Sequence, residues 1–115
     1  MVSRLTIARQ SLGQHSTDLS AGAFVAQVLN QSGFKPEGAV LYSSDVTELV
    51  TQMSRLEQVE FMQPGDILFW GVADAPYYVG LYLGGQQVIG VNHTGSEVTI
   101  QFIHPRWMPT IVGKL

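Results

Sequence analysis

Apolar residues recur at three- and four-residue steps in the first half of the chain and close into short runs and alternations in the second. Leu5, Ala8 and Leu12 share one helical face, which predicts a short first helix over residues 5–12. Phe24, Val25, Val28 and Leu29 form a second stripe, with Ser20 as N-cap and Gly33 where a helix should stop, so a helix is expected from there to Gln31. Asp45 followed by Glu48 resembles an acidic capping box. Val46, Leu49, Val50, Met53 and Leu56 then predict a third helix running to about Leu56. The polar stretch from Gly13 to Ser20 and the Pro- and Gly-containing stretch from Phe34 to Ser44 read as connections.

The pattern changes at Pro64-Gly65-Asp66, a turn signal in which Asp66 is expected to organise the backbone through its carboxylate. Ile67 to Trp70 is an apolar run suited to a buried strand. Tyr78 to Leu83 and Gln87 to Val91 are strand-like and flank Gly84-Gly85, read as a two-residue hairpin turn. Asn92 to Ser96 suggests another turn. Val98, Ile100 and Phe102 alternate with Thr99 and Gln101 as a half-buried strand, and a last strand is expected over Ile111 to Lys114. Helices first and an antiparallel meander after them predict one α+β domain over residues 1–115, with helices packed on the sheet.

Composition narrows the function. The 115 residues are 45% hydrophobic and 13% charged, enough apolar material for a single core. A net charge of -3 without a basic cluster argues against a nucleic-acid partner. The chain has no cysteine, which removes disulfides, thiolate metal sites and a thiol nucleophile together. No apolar run approaches the roughly 20 residues of a membrane span, so no membrane insertion is expected. Arg4 and Arg9 interrupt the first apolar residues, so no signal-peptide pattern is visible. The three histidines show no metal-ligand spacing, and neither a metal nor another cofactor is expected.

Three segments resemble the NlpC/p60 family of papain-like cysteine peptidases, which cleave peptide stems in bacterial cell walls. Met62 to Trp70 is similar to that family's "PGDLVFF" segment, Tyr78 to Gly84 to "HVGIYLG", and Phe24-Val25 through Ser32-Gly33 to the helix of "DCSGFV…AG". The resemblance implies a papain-like fold, an extracytoplasmic or phage-associated setting, and a triad of Cys, His and a third polar residue. Carried over by position, those three sites are Ala21, Tyr78 and Gly90. Alanine offers no nucleophile, a tyrosine of pKa near 10 is a poor base at neutral pH, and glycine has no side chain. An alternative alignment puts Leu19, after Asp18, at the nucleophile position and is equally inert.

The remaining candidates are weaker. Ser20 with His93 as base would be an unconventional nucleophile pair, though a helix cap and a turn histidine account for both. His15 would stand on the rim of the cleft, and His104 beside Pro105 at the surface. Tyr77 and Tyr78 are candidate ligand contacts, with Tyr78 either plugging the old cleft or offering a stacking face and a hydroxyl. Trp70 and Trp107 are expected in the core or half-buried. Four readings stay open: an inactive module that binds cell-wall peptide or a protein partner, a structural component of a phage tail or cell-wall assembly, a peptidase inactivated by replacement of Cys at Ala21, and a hydrolase using unconventional residues.

Overall fold

The computed structural model describes residues 4–14, 19–32, 41–72, 74–92 and 97–115. Three helices precede the sheet: α1 (Arg4–Gln10), α2 (Ala21–Gln31) and α3 (Val46–Thr51). Six strands follow: β1 (Arg55–Glu57), β2 (Ile67–Val72), β3 (Ala75–Gly84), β4 (Gln87–Val91), β5 (Val98–Phe102) and β6 (Ile111–Lys114). All pairings are antiparallel, in the spatial order β1-β6-β2-β3-β4-β5. The domain is therefore α+β, as its pattern predicts. Among the described residues no helix is long and apolar enough to cross a membrane.

Alternation along the strands divides the core in two. Ile67 and Phe69 of β2, Val79, Leu81 and Leu83 of β3, and Ile89 and Val91 of β4 meet Phe24, Val25, Val28 and Leu29 of α2. On the other face Leu68, Trp70, Tyr78, Tyr82, Val88 and Val112 pack with Ile103, and with Val59, Met62 and Trp107 over them. The run 67–70 is continuously apolar because the sheet is covered on both sides there; all four residues are at most 1% exposed.

Capping follows local chemistry. Ser20 Oγ accepts the Ala23 N–H at 3.1 Å, and Asp45 Oδ1 accepts those of Thr47 and Glu48 at 2.9 and 3.4 Å. Asp66 organises its turn by accepting the Gln63 N–H at 2.7 Å, and its carboxylate also pairs with the buried Lys114 ammonium of β6.

Three expectations need correcting. The third helix ends at Thr51 and does not reach Leu56. Ser54 turns its backbone N–H to the Lys114 carbonyl, and residues 55–57 pair with β6, so a non-local ladder replaces a helical continuation that periodicity alone suggests. The hairpin turn is Gly85-Gln86, one residue later than Gly84-Gly85, with φ of 60° and 67° and closed by the pair Gly84↔Gln87. A turn of this kind requires positive φ at both central residues, a demand that glutamine does not advertise. Strand β3 also begins at Ala75, before Tyr78. The Gly33 helix stop, most of the 34–44 connection and most of the 92–96 turn lie outside the described residues.

Candidate functional site

The start of α2 meets the second face of the sheet. Ala21 is half-buried at the seam between the two apolar clusters, packed against both, while Ser20 before it is exposed and engaged as the cap. Gly22 permits this approach: a Cβ there would run into the Ser44 backbone carbonyl. The helix start is therefore held close to both the 44–46 segment and the cluster that contains Tyr78.

Tyr78 is 6% exposed and stands opposite Trp70 in the β2–β3 register. Its hydroxyl donates to the Val91 carbonyl at 2.6 Å and accepts from Gln101 Nε2 at 2.8 Å. Gln101 Nε2 also lies 3.3 Å from the Val91 carbonyl, so three strands meet at one small polar knot. Burial of the phenol pushes its pKa up to about 12, with the Gln101 hydrogen bond pulling the other way. Gly90 lies directly behind: a Cβ at that position would fall 2.7 Å from the Tyr78 hydroxyl. The phenol thus occupies the space that a side chain at position 90 would need.

Aromatic rings close the rest. Trp70 meets Tyr78 edge-on at 5.3 Å, and Trp107 stacks on Trp70 at 4.4 Å with 19° between the planes. Trp107 is also 5.5 Å from Tyr78. Trp70 is buried and Trp107 half-buried, as their sequence suggests.

Tyr78 and Gly90 thus meet directly, with Gln101 added from β5, and Ala21 borders the apolar cluster that contains Tyr78. Nothing in the spacing of the chain marks Gln101: its place depends on the β3–β4–β5 register, and its type shows only as the polar alternate of a half-buried strand. Tyr77 does not join this group; it is 65% exposed and, as the neighbour of Tyr78 in a strand, points to the other face, toward Gly71. His104 is exposed and its Nδ1 accepts the Arg106 N–H at 3.3 Å. His15 and His93 lie outside the described residues. Among the described residues no three His, Cys, Asp or Glu side chains are grouped to hold a metal ion.

Chemically, these positions present a methyl group, a neutral phenol and a bare backbone. None is a nucleophile or a proton acceptor at neutral pH.

The NlpC/P60 family model matches residues 11–114. No curated protein sequence matches the chain significantly. Among solved structures, the NlpC/p60 domain of the peptidoglycan hydrolase SagA is 19% identical with a TM-score of 0.81, covering 98% of this chain and 97% of that one. The peptidoglycan hydrolase RipB from Mycobacterium tuberculosis is 18% identical with a TM-score of 0.75, over 97% of this chain and 62% of its own. RipD from the same organism is described as a non-catalytic NlpC/p60 domain protein adapted to peptidoglycan binding. It is 16% identical with a TM-score of 0.66, over 91% of this chain and 78% of its own. The sequence match runs from just past α1 to the last residue of β6, and the folds coincide over nearly the whole chain: it belongs to the NlpC/P60 family.

Proposed function

We propose that the domain binds without cutting: a catalytically silent NlpC/P60 domain serving as a binding or interaction module for cell-wall peptide or a protein partner. The observation that carries this reading is Tyr78. Where the family's resemblance calls for an imidazole, a buried phenol stands with its hydroxyl engaged by the Val91 carbonyl and the Gln101 amide. Hydrolysis by the family's chemistry needs a thiolate, an imidazole that takes and returns its proton, and a group that orients the imidazole. Ala21, Tyr78 and Gly90 supply none of them. The ligand class is taken from RipD, described as adapted to peptidoglycan binding.

A second reading, a structural part of a phage tail or cell-wall assembly, draws support from the apolar side chains that β5 shows to solvent. Ile100 is 36% and Phe102 60% exposed there.

The test pairs two measurements on the domain: release of stem-peptide fragments from peptidoglycan, and co-sedimentation with insoluble peptidoglycan. Retention without release is expected. Release by the unmodified domain that disappears in Ser20→Ala would sink the silent reading and favour an unconventional nucleophile. Absence of both retention and release would favour the structural reading.

A further inference from the structure

Strand β6 runs between β1 and β2, and Lys114 stands on it between two carboxylates. On one side Asp66, one residue before β2, has its Oδ2 in contact with Lys114 Nζ. On the other side Glu57 of β1 places Oε1 3.9 Å from the same nitrogen. Arg55, the cross-strand partner of Lys114, holds Glu57 Oε2 at 2.6 Å, so Oε1 is the oxygen left facing the amine.

Both members of the contact are fixed by further bonds. Lys114 Nζ also donates to the Phe61 carbonyl at 3.3 Å, and the Gln63 N–H donates to Asp66 Oδ2 at 2.7 Å. The Asp66 backbone donates to the Gln63 carbonyl at 3.0 Å and accepts from the Tyr82 N–H at 2.9 Å. Asp66 is 7% and Lys114 9% exposed. For an ion pair this buried, desolvation of the two charges offsets much of their attraction. A neutral bond between the same two side chains would not carry that cost.

We propose that Lys114 and Asp66 condense to an isopeptide bond, with Glu57 as the group that moves the protons. A hydrogen-bonded carboxylate oxygen leaves the carbon behind it about 3–3.5 Å from the amine, the range of a reacting pair. Neighbours held in this way act at an effective concentration of about 100,000 M or more. The step balances without a co-reactant. One ammonium proton passes to the Asp66 carboxylate, giving an amine and a carboxylic acid. The Nζ lone pair attacks Cγ, and as the C–N bond forms Glu57 Oε1 takes a second proton from Nζ. Glu57 returns that proton to the departing hydroxyl, the C–O bond breaks, and one water leaves. The third proton stays on the amide nitrogen. The Gln63 N–H draws electron density toward Oδ2 and assists attack at Cγ. A cavity of about 290 Å³ bordered by Glu57, Gln63 and Lys114 gives the water a way out. The product ties the turn before β2 to β6 covalently, in a chain that has no cysteine for a disulfide.

The intact mass of the folded domain, taken after denaturation, reads the bond directly. It should lie one water below the mass of the sequence, and a digest should contain one branched peptide joining the stretch around Asp66 to the stretch around Lys114. Lys114→Arg keeps the charge but lacks the amine, and should show its full sequence mass. At a time when the unmodified domain is fully condensed, under about a tenth of Glu57→Gln molecules should be. Full sequence mass in the unmodified domain overturns the inference. So does a water loss that persists in Lys114→Arg, which would mark a succinimide at Asp66, and so does unimpaired condensation in Glu57→Gln. Should Lys114→Arg fail to fold, the presence or absence of the branched peptide in the unmodified domain decides alone.

Discussion

Tyr78 and Gly90 act as one unit, because the phenol fills the volume that a side chain at 90 would occupy. Gly90→Ala puts a Cβ 2.7 Å from the Tyr78 hydroxyl, which two hydrogen bonds hold in place. Overpacking of this kind should destabilise the domain by about 1–3 kcal/mol. The penalty should shrink markedly in a Tyr78→Phe background, where the oxygen is gone, and urea unfolding of the four-member cycle measures that coupling. Tyr78 also imposes a pH dependence. Its folded pKa of about 12 lies above the ordinary 10, so the neutral phenol is the form that the fold favours. The stabilisation is complete below pH 10 and is lost as pH rises from about 10 through about 12, where the unfolded chain ionises first. Over that interval the unmodified domain should lose on the order of 2 kcal/mol more than Tyr78→Phe, read from unfolding midpoints across the range.

At the scale of elements, α2 is held by a local cap and by a close approach, and the two differ in cost. Ser20→Ala removes the acceptor for the Ala23 N–H and should cost about 1 kcal/mol. Gly22→Ala should cost more, because its methyl would collide with the Ser44 backbone carbonyl, which cannot yield without moving the segment that leads into α3. The turn before β2 and the end of β6 are joined by the Asp66–Lys114 pair, with side chains only 9% and 11% exposed. Lys114 Nζ also donates to the Phe61 carbonyl at 3.3 Å. Asp66→Ala would leave the ammonium buried without its main partner and the Gln63 N–H without its acceptor. A loss of about 3–5 kcal/mol is expected, visible as a lower melting temperature.

For the whole molecule, the question is what would restore hydrolysis. Ala21→Cys alone should release no stem peptide under reducing conditions. The helix N-terminus would help a thiolate by about 0.3–1 kcal/mol, with no imidazole to exchange the proton. The smallest set expected to give turnover is Ala21→Cys with Tyr78→His and Gly90→His. The order of construction matters: position 90 can accept a side chain only once the Tyr78 phenol is removed. Cleavage by Ala21→Cys alone would instead identify a peptidase disabled at one residue.

The sequence by itself determined the helix starts at Ser20 and Asp45, the turn at Pro64-Gly65-Asp66, the two-sided burial of 67–70 and the α+β order. These depend on neighbours within a few residues, through capping hydrogen bonds, backbone dihedrals and hydrophobic period. It also showed that the positions resembling the triad carry no reactive group, since residue type alone settles that. Tertiary structure decided the rest. Leu56 leaves the helical pattern because β6 offers its neighbours a ladder, and Gln86 takes a positive φ because the β3–β4 register puts the turn there. Gln101 reaches Tyr78, and Trp107 reaches Trp70, across 23 and 37 residues of chain, through strand registers and the β5–β6 connection. No local pattern encodes such meetings, because their free energy comes from packing and desolvation that exist only once the sheet has closed.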